Sequence, residues 1–140
     1  MIAYFDTSAI IPLVINEPAT PLCQRIWHAA HMRATSLLSL VEAEAAIAQA
    51  LRLARITREQ GASVSTLLQS LWNEFFVIAS SERIVRRAAS LAHTQGLRGY
   101  DAVHCASALA IAHDDFLAAS GDRKLIEAWR DLGLVTALAS

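Results

Sequence analysis

The chain has 140 residues, 54% of them hydrophobic and 18% charged, and its formal net charge is −1. This length favours one domain with a sizeable core, and the near balance of charges argues against holding nucleic acid through a large positive excess. No apolar run approaches the ~18 residues of a membrane span, and no basic segment leads into an apolar one as in a signal peptide. We therefore expect a cytoplasmic protein with no membrane partner.

The high apolar content predicts that part of the surface is covered by a partner or by a second copy of the chain. The two cysteines, Cys23 and Cys105, lack the spacing of a metal site and have no further cysteines beside them. They fit free thiols in a reducing compartment rather than a disulfide framework.

Apolar runs of strand length alternate with longer segments of helical periodicity along the whole chain. The predicted strands are Ile2–Phe5, Met32–Ser36, Phe76–Ala79, Phe116–Ala119 and Leu134–Thr136. The predicted helices are Thr7–Ile15, Ala19–Ala30, Leu38–Arg55, Thr57–Phe75, Glu82–Gln95, Tyr100–Ala112 and Asp122–Asp131. This alternation indicates an α/β fold with a mainly parallel sheet of four to five strands, covered by helices on both faces. No linker or repeat interrupts it, so we expect one domain over residues 1–140.

Asp6 is the most informative residue because it directly follows the first apolar strand. A strand that is covered on both faces does not readily bury a carboxylate, so we place Asp6 at the carboxyl end of the strand. In open α/β sheets that edge is where ligands bind. Asp6 is therefore the leading candidate for a functional acid, and capping of the following helix is the alternative.

Three more acids lie at similar junctions. Asp122 follows the fourth strand, Glu42 lies early in the third helix, and Asp101 lies in the first turn of the sixth helix. Because the carboxyl ends of parallel strands share one edge, Asp6 and Asp122 are expected to meet there, within reach of the other two acids. Taken singly, Asp101 and Asp122 are equally well explained as acids that stabilise a helix N-terminus by about 0.3–1 kcal/mol.

The four acids taken together point to a cation. Carboxylates that converge on one sheet edge repel each other, and a bound cation removes that repulsion. Ligation by oxygen alone suits Mg²⁺ or Mn²⁺ rather than Zn²⁺. A carboxylate cluster that holds such ions can activate water and neutralise the charge that develops on a phosphodiester. Periodicity leaves open whether Glu42 or Glu44, on a different side of the same helix, contributes to the cluster.

Four segments carry a resemblance to a known family. They are Phe5-Asp6-Thr7-Ser8-Ala9, Thr35-Ser36-Leu37-Leu38-Ser39-Leu40-Val41-Glu42, Leu97-Arg98-Gly99-Tyr100-Asp101-Ala102-Val103-His104 and Ser120-Gly121-Asp122-Arg123-Lys124-Leu125. In this order and at these separations, the chain resembles the PIN-domain nucleases and, within them, the VapC-type toxins of bacterial toxin–antitoxin pairs. Asp-Thr-Ser alone is a weak signal, but the four segments together span essentially the whole chain.

The resemblance implies a PIN-like three-layer α/β/α sandwich and a metal-dependent endoribonuclease that uses Mg²⁺ or Mn²⁺. It favours Glu42 over Glu44, and it assigns the catalytic and metal-ligating positions to Asp6, Glu42, Asp101 and Asp122. It further implies an RNA substrate, a homodimer and neutralisation by a cognate VapB-type antitoxin. The helices Leu38–Arg55 and Thr57–Phe75 are the place where we expect the antitoxin to dock.

Six further residues are expected to support these acids. Thr7 and Ser8 would orient Asp6 or a water, and Ser120 would do the same for Asp122, although helix capping explains these hydroxyls equally well. The basic residues expected to contact the RNA backbone are Arg98, Arg123 and Lys124.

Two alternatives use the same fold. One is a housekeeping PIN-domain nuclease for RNA maturation that has no antitoxin. The other is a catalytically silent protein-interaction module, which the presence of all four acids disfavours. A phosphorylated receiver domain would need a further acid pair beside Asp6, and a haloacid-type phosphatase would need an Asp where this chain has Ser8.

The remaining large polar and aromatic side chains are interpreted as structural. His104 lies one turn after Asp101, close enough to touch the site, but we interpret it as a packing residue. The tryptophans, which we interpret as core or interface residues rather than base-stacking platforms, are Trp27, Trp72 and Trp129.

Overall fold

A computed structural model describes residues 1–140 as seven helices packed on both faces of a five-stranded sheet. The strands are β1 Ile2–Phe5, β2 Met32–Ser36, β3 Phe75–Ile78, β4 Phe116–Ser120 and β5 Thr136–Leu138. The helices are α1 Thr7–Val14, α2 Thr20–Ala29, α3 Leu38–Arg52, α4 Arg58–Trp72, α5 Glu82–Thr94, α6 Gly99–Ile111 and α7 Arg123–Asp131. All strand pairs are parallel, and their order is β3-β2-β1-β4-β5. The predicted α/β/α sandwich is confirmed.

The central strand β1 is buried on both faces of the sheet. Tyr4 packs into an apolar cluster with α5, α6 and α7, whereas Ala3 and Phe5 pack into a second cluster with α1 to α4. Because successive strand residues point to opposite faces, a strand covered on both sides is apolar throughout. The apolar run therefore lasts as long as the strand lies between helices, and it ends where Asp6 reaches the edge of the sheet.

The strand order reverses between β1 and β4. From β1 the chain passes through α1 and α2 to β2 on one side, whereas β4 lies on the other side of β1. In a parallel sheet such a reversal opens a crevice at the carboxyl ends of the two strands, where ligands bind. Asp6 directly follows β1, and Asp122 lies two residues beyond β4. The topology therefore places both acids at this crevice.

The last strand differs from the prediction by two residues. Gly133 takes a positive φ of 89°, and the N–H of Leu134 donates to the carbonyl of Trp129 at 2.9 Å. This geometry closes the C-terminus of α7, so Leu134 still belongs to the helix-ending turn. The contact with β4 therefore begins at Val135, whose carbonyl accepts from the N–H of Ala118 at 3.0 Å, and the strand itself begins at Thr136, opposite Ala118.

Smaller differences occur at α3 and β3. Helix α3 ends at Arg52 rather than Arg55, because Ala54 takes a positive φ of 54° and turns the chain toward α4. Strand β3 begins at Phe75, which the prediction assigned to the end of the preceding helix. None of the seven helices combines the length and the apolar character that crossing a membrane requires.

Candidate active site

Asp6 is only 5% exposed, and both of its carboxylate oxygens accept hydrogen bonds. Oδ1 accepts from the Ser8 hydroxyl at 2.7 Å and from the Ala9 N–H at 3.1 Å, while Oδ2 accepts from the Ser120 hydroxyl at 2.7 Å. The Ala9 contact makes Asp6 the N-cap of α1. Burial raises the pKa of the Asp6 carboxyl above its usual value, and the charge of His104 and the three donors offset that rise only in part.

Glu42 lies in the second turn of α3, and one of its two oxygens is held by two side chains. The Thr7 hydroxyl donates to Oε1 at 2.8 Å, and Nε2 of His104 lies 2.7 Å from the same oxygen. Oε2 accepts no hydrogen bond from the chain. Partial burial opposes ionisation, but the contacts with His104 and Thr7 outweigh it and lower the pKa of Glu42 below its usual value. Thr7, which we expected to orient Asp6 or a water, therefore donates its hydrogen bond to Glu42 instead.

His104 contacts one of the candidate acids as well as the core. Its ring packs edge-on against Tyr4, as a packing residue would, but both ring nitrogens are also engaged. Nδ1 lies 2.7 Å from the Tyr4 hydroxyl, and Nε2 contacts Glu42. The available signal was the three-residue spacing from Asp101, which places both side chains on one face of α6. His104 therefore both packs in the core and touches the site, whereas the sequence interpretation favoured packing.

Asp101 occupies the first turn of α6 and is partly buried. Its Oδ2 lies 3.6 Å from Nε of Arg98, which is itself largely exposed. Burial raises the pKa of Asp101, and the negative charges of Asp122 and Glu42 raise it further, while Arg98 lowers it in part. Asp122 and Glu42 thus lie close enough to Asp101 to raise its pKa.

Asp122 is the N-cap of α7, as its helix-capping interpretation predicted. Oδ1 accepts from the N–H of Lys124 at 2.9 Å and from that of Leu125 at 3.4 Å. Ser120 does not orient the Asp122 side chain. Its hydroxyl donates to Asp6 and accepts from the Asp122 N–H at 2.9 Å. Ser120 therefore couples the backbone before α7 to the buried carboxylate that follows β1.

The three basic residues expected near the acids are all exposed, but only one contacts an acid side chain. Arg98 flanks Asp101, whereas Arg123 makes no ion pair and Nζ of Lys124 extends toward Gly96. Glu44 lies apart from this group. Its Oε2 accepts from the Ser65 hydroxyl at 3.2 Å, which links α3 to α4.

An apolar groove of about 810 Å³ opens beside Glu42 and Asp101. Its walls come from the start of α3 and from α5 and α6, and they include Leu38, Val85, Ala88, Ala89, Ala92 and Val103. Arg98 and Tyr100 lie along the same groove. The groove therefore offers an apolar surface that ends at carboxylates.

The donor set fits a small hard cation. All four acids offer carboxylate oxygens, which Mg²⁺ and Mn²⁺ prefer. No three Asp, Glu, His or Cys side chains converge closely enough to ligate one ion through protein atoms alone. Mg²⁺, however, is commonly held by one or two carboxylates, and waters and substrate phosphates complete its coordination. The four acids are therefore compatible with such an ion.

Comparison with known proteins identifies the family. The model of the PIN domain family matches residues 3–129. Ribonuclease VapC45 from Mycobacterium tuberculosis is 32% identical over 124 residues, which cover 89% of this chain and 86% of that protein. The chain therefore belongs to the PIN domain family and, within it, is a relative of the VapC ribonucleases.

Solved structures share the fold. The crystal structure of PAE2754 from Pyrobaculum aerophilum matches with a TM-score of 0.71 at 23% identity, covering 97% of this chain and 83% of that one. A toxin–antitoxin complex from Klebsiella pneumoniae matches with a TM-score of 0.68 at 18% identity, covering 97% of both chains. These likenesses confirm the PIN-like α/β/α sandwich.

Proposed function

We propose that this chain is a VapC-type endoribonuclease toxin that hydrolyses RNA phosphodiester bonds with Mg²⁺ or Mn²⁺ and is neutralised by a VapB-type antitoxin. We further propose that residues 1–140 act as a single PIN domain. The relationship to Ribonuclease VapC45 supports the ribonuclease activity, and the fold shared with a toxin–antitoxin complex supports the antitoxin. The observation that supports the site assignment is the position of Asp6 and Asp122 at the crevice between β1 and β4, where Thr7, beside Asp6, donates to Glu42.

In this proposal the residues that hold the ion are Asp6, Glu42, Asp101 and Asp122. When bound, the ion would activate water and neutralise charge on the phosphodiester. Hydrogen bonds within the protein fix the side chains of Asp6 and Glu42 before an ion binds. Asp6 is held by Ser8 and Ser120, and Glu42 is held through one oxygen, which leaves Oε2 free of hydrogen bonds from the chain.

The same arrangement suggests how RNA would be oriented. Arg98 is exposed and flanks Asp101, so its guanidinium is the basic group best placed to contact a backbone phosphate beside the acids. Arg123 and Lys124 lie in the first turn of α7, directly after Asp122. In our proposal these two residues contact neighbouring phosphates and contribute positioning rather than sequence selectivity.

The proposal also includes a homodimer and the bound antitoxin. Several apolar side chains stand open to solvent around the acids and on α3 and α4, and they fit surfaces that a partner covers. They include Leu37, Val41, Val85, Tyr100 and Leu67. We assign the antitoxin to the α3–α4 pair. No observation favours the alternative of a housekeeping nuclease without an antitoxin.

The decisive experiment is RNA cleavage by the purified protein. We expect total RNA to be cut with Mn²⁺ or Mg²⁺ and to remain intact with EDTA. Asp6→Asn and Asp101→Asn should lose at least about 100-fold in cleavage rate, because each removes one charge from the acidic site. Asp114→Asn, an exposed acid outside the site, is the matched control and should cut like the unaltered protein.

Two results would contradict the proposal. One is cleavage that continues unchanged in EDTA, which would exclude the metal requirement. The other is full activity of Asp101→Asn, which would exclude that acid from the site. Thermal unfolding of each variant shows whether a loss of cleavage reflects the site or the fold.

A further inference from the structure

A buried chain of hydrogen bonds runs from the centre of the sheet to Glu42. The Tyr4 hydroxyl lies 2.7 Å from Nδ1 of His104, and Nε2 of His104 lies 2.7 Å from Oε1 of Glu42. Tyr4 is fully buried and His104 is 2% exposed. Polar groups inside a core are costly unless they are bonded, and here each polar atom of both side chains has a partner.

Glu42 determines the direction of its hydrogen bond with His104. The Glu42 carboxylate accepts, so Nε2 of His104 carries the hydrogen that it donates. The Tyr4 hydroxyl can donate or accept, so it satisfies Nδ1 in either protonation state of the ring. His104 therefore bridges Tyr4 and Glu42 through its two ring nitrogens.

These hydrogen bonds also involve the segment that carries Asp6. Tyr4 lies two residues before Asp6, and Thr7, directly after Asp6, donates to the same Glu42 oxygen as His104. Glu42 on α3 is therefore held from two sides, by Thr7 at the start of α1 and by His104 on α6. His104 also lies on α6, three residues after Asp101, so one set of contacts links the elements that carry three of the acids.

We propose that Tyr4 and His104 are positioning residues that hold Glu42 in the orientation in which its free oxygen serves the ion and the substrate. The inference rests on the proposed function and deepens it. A glutamate on an exposed helix turn ordinarily samples several rotamers, and fixing one of its oxygens limits that freedom. Outer residues of this kind typically change metal affinity 10–100-fold when they are replaced.

Three variants separate positioning from packing. His104→Gln places an amide nitrogen near the position of Nε2 and keeps a donor for Glu42, whereas His104→Asn places it near Nδ1 and loses that donor. Tyr4→Phe keeps the ring and removes only the hydroxyl. Cys105→Ala is the control, because it shortens a neighbouring buried side chain of α6 that does not touch Glu42.

Mn²⁺ binding, followed by electron paramagnetic resonance, is the first measurement, and RNA cleavage is the second. We expect His104→Asn to weaken Mn²⁺ binding about 10-fold or more, His104→Gln to restore most of it, and Tyr4→Phe to weaken it about 3-fold. Cys105→Ala should bind Mn²⁺ normally even where it lowers thermal stability.

The outcomes distinguish the inference from the function on which it rests. If the unaltered protein binds Mn²⁺ and cuts RNA, but His104→Asn and Tyr4→Phe bind Mn²⁺ as tightly, the positioning role is overturned and the function stands. If the unaltered protein neither binds Mn²⁺ nor cuts RNA, the proposed function fails and the inference fails with it. If His104→Asn does not fold, Tyr4→Phe decides.

Discussion

The Ser120 hydroxyl donates to Oδ2 of Asp6 across 2.7 Å and joins the ends of two neighbouring strands. Ser120 is the last residue of β4, and Asp6 directly follows β1. Ser8 completes the arrangement, since its hydroxyl donates to Oδ1 of Asp6 and accepts from the N–H of Gly121 at 2.7 Å. An almost fully buried carboxylate is thereby satisfied on both oxygens, which lets the fold keep an acid where desolvation opposes its charge.

Replacing Ser120 tests this arrangement directly. Ser120→Ala removes the donor to Asp6 and the acceptor of the Asp122 N–H, so we expect a loss of about 1–3 kcal/mol in the free energy of unfolding. RNA cleavage should fall as well, because Asp6 loses one of its two positioning hydroxyls. Urea unfolding and the cleavage assay check the two effects.

The matched control for Ser120 is an exposed serine on α4. The Ser70 hydroxyl bonds only the carbonyl of Thr66. Ser70→Ala should therefore change the free energy of unfolding by less than about 0.5 kcal/mol. A Ser120→Ala protein that matched this control in both stability and cleavage would show that the Asp6 contact is dispensable.

Gly121 is required for a close approach rather than for a special backbone angle. A Cβ at this position would lie 2.8 Å from the Ala139 carbonyl oxygen and 3.3 Å from the Ser8 hydroxyl. Gly121→Ala must therefore push apart the paired ends of β4 and β5, and we expect a loss of about 1–3 kcal/mol in unfolding free energy. Gly99→Ala is the control, since a Cβ there meets nothing within 4 Å. Equal stability of the two variants in urea would contradict this packing.

The two cysteines should be unreactive in the folded protein. Burial raises the pKa of Cys23 to about 11 and that of Cys105 to about 12. At pH 8 roughly one thiol in a thousand or fewer is then the reactive thiolate, and burial also blocks access. We expect DTNB to label neither thiol in the native state and both in guanidinium chloride. Rapid labelling of the native protein would mean that one of the two apolar clusters on the faces of the sheet, which contain these cysteines, opens readily.

Arg98 should contribute to RNA binding through charge. Arg98→Ala removes the exposed guanidinium beside Asp101, and we expect weaker RNA binding with a salt-dependence slope reduced by about 1. Fluorescence anisotropy in EDTA measures binding without cleavage. Arg86→Ala removes an exposed arginine that pairs with Glu82 on α5, and it should leave the slope unchanged. A slope that Arg98→Ala does not alter would exclude a phosphate contact at this residue.

Local pattern predicted most of the fold because each element is encoded by its own residues. The apolar run of β1, for example, ends at Asp6 in both the sequence and the structure. The displacement of β5 was not predictable in the same way. It depends on the turn at Gly133, which keeps Leu134 bonded to α7 instead of to the sheet.

Contacts between distant segments were beyond sequence reasoning. Asp6 and Asp122 share an edge because parallel strands align their carboxyl ends, and that much follows from pattern alone. The pairing of hydroxyls with acids depends on how the helices pack on the sheet. Contrary to expectation, Thr7 therefore donates to Glu42 and Ser120 donates to Asp6. The contacts of His104 were unpredictable for the same reason, because its two partners lie on β1 and α3.

The central place of β1 bears on how the protein is made. Asp6 is synthesised 114 residues before its donor Ser120. Pairing between such distant segments is slow and requires both of them. A growing chain in which Ser120 has not yet been made therefore carries an unfinished acidic site. In a ribonuclease toxin, this delay would protect the messenger and the ribosome that are producing it until Ser120 has left the ribosome.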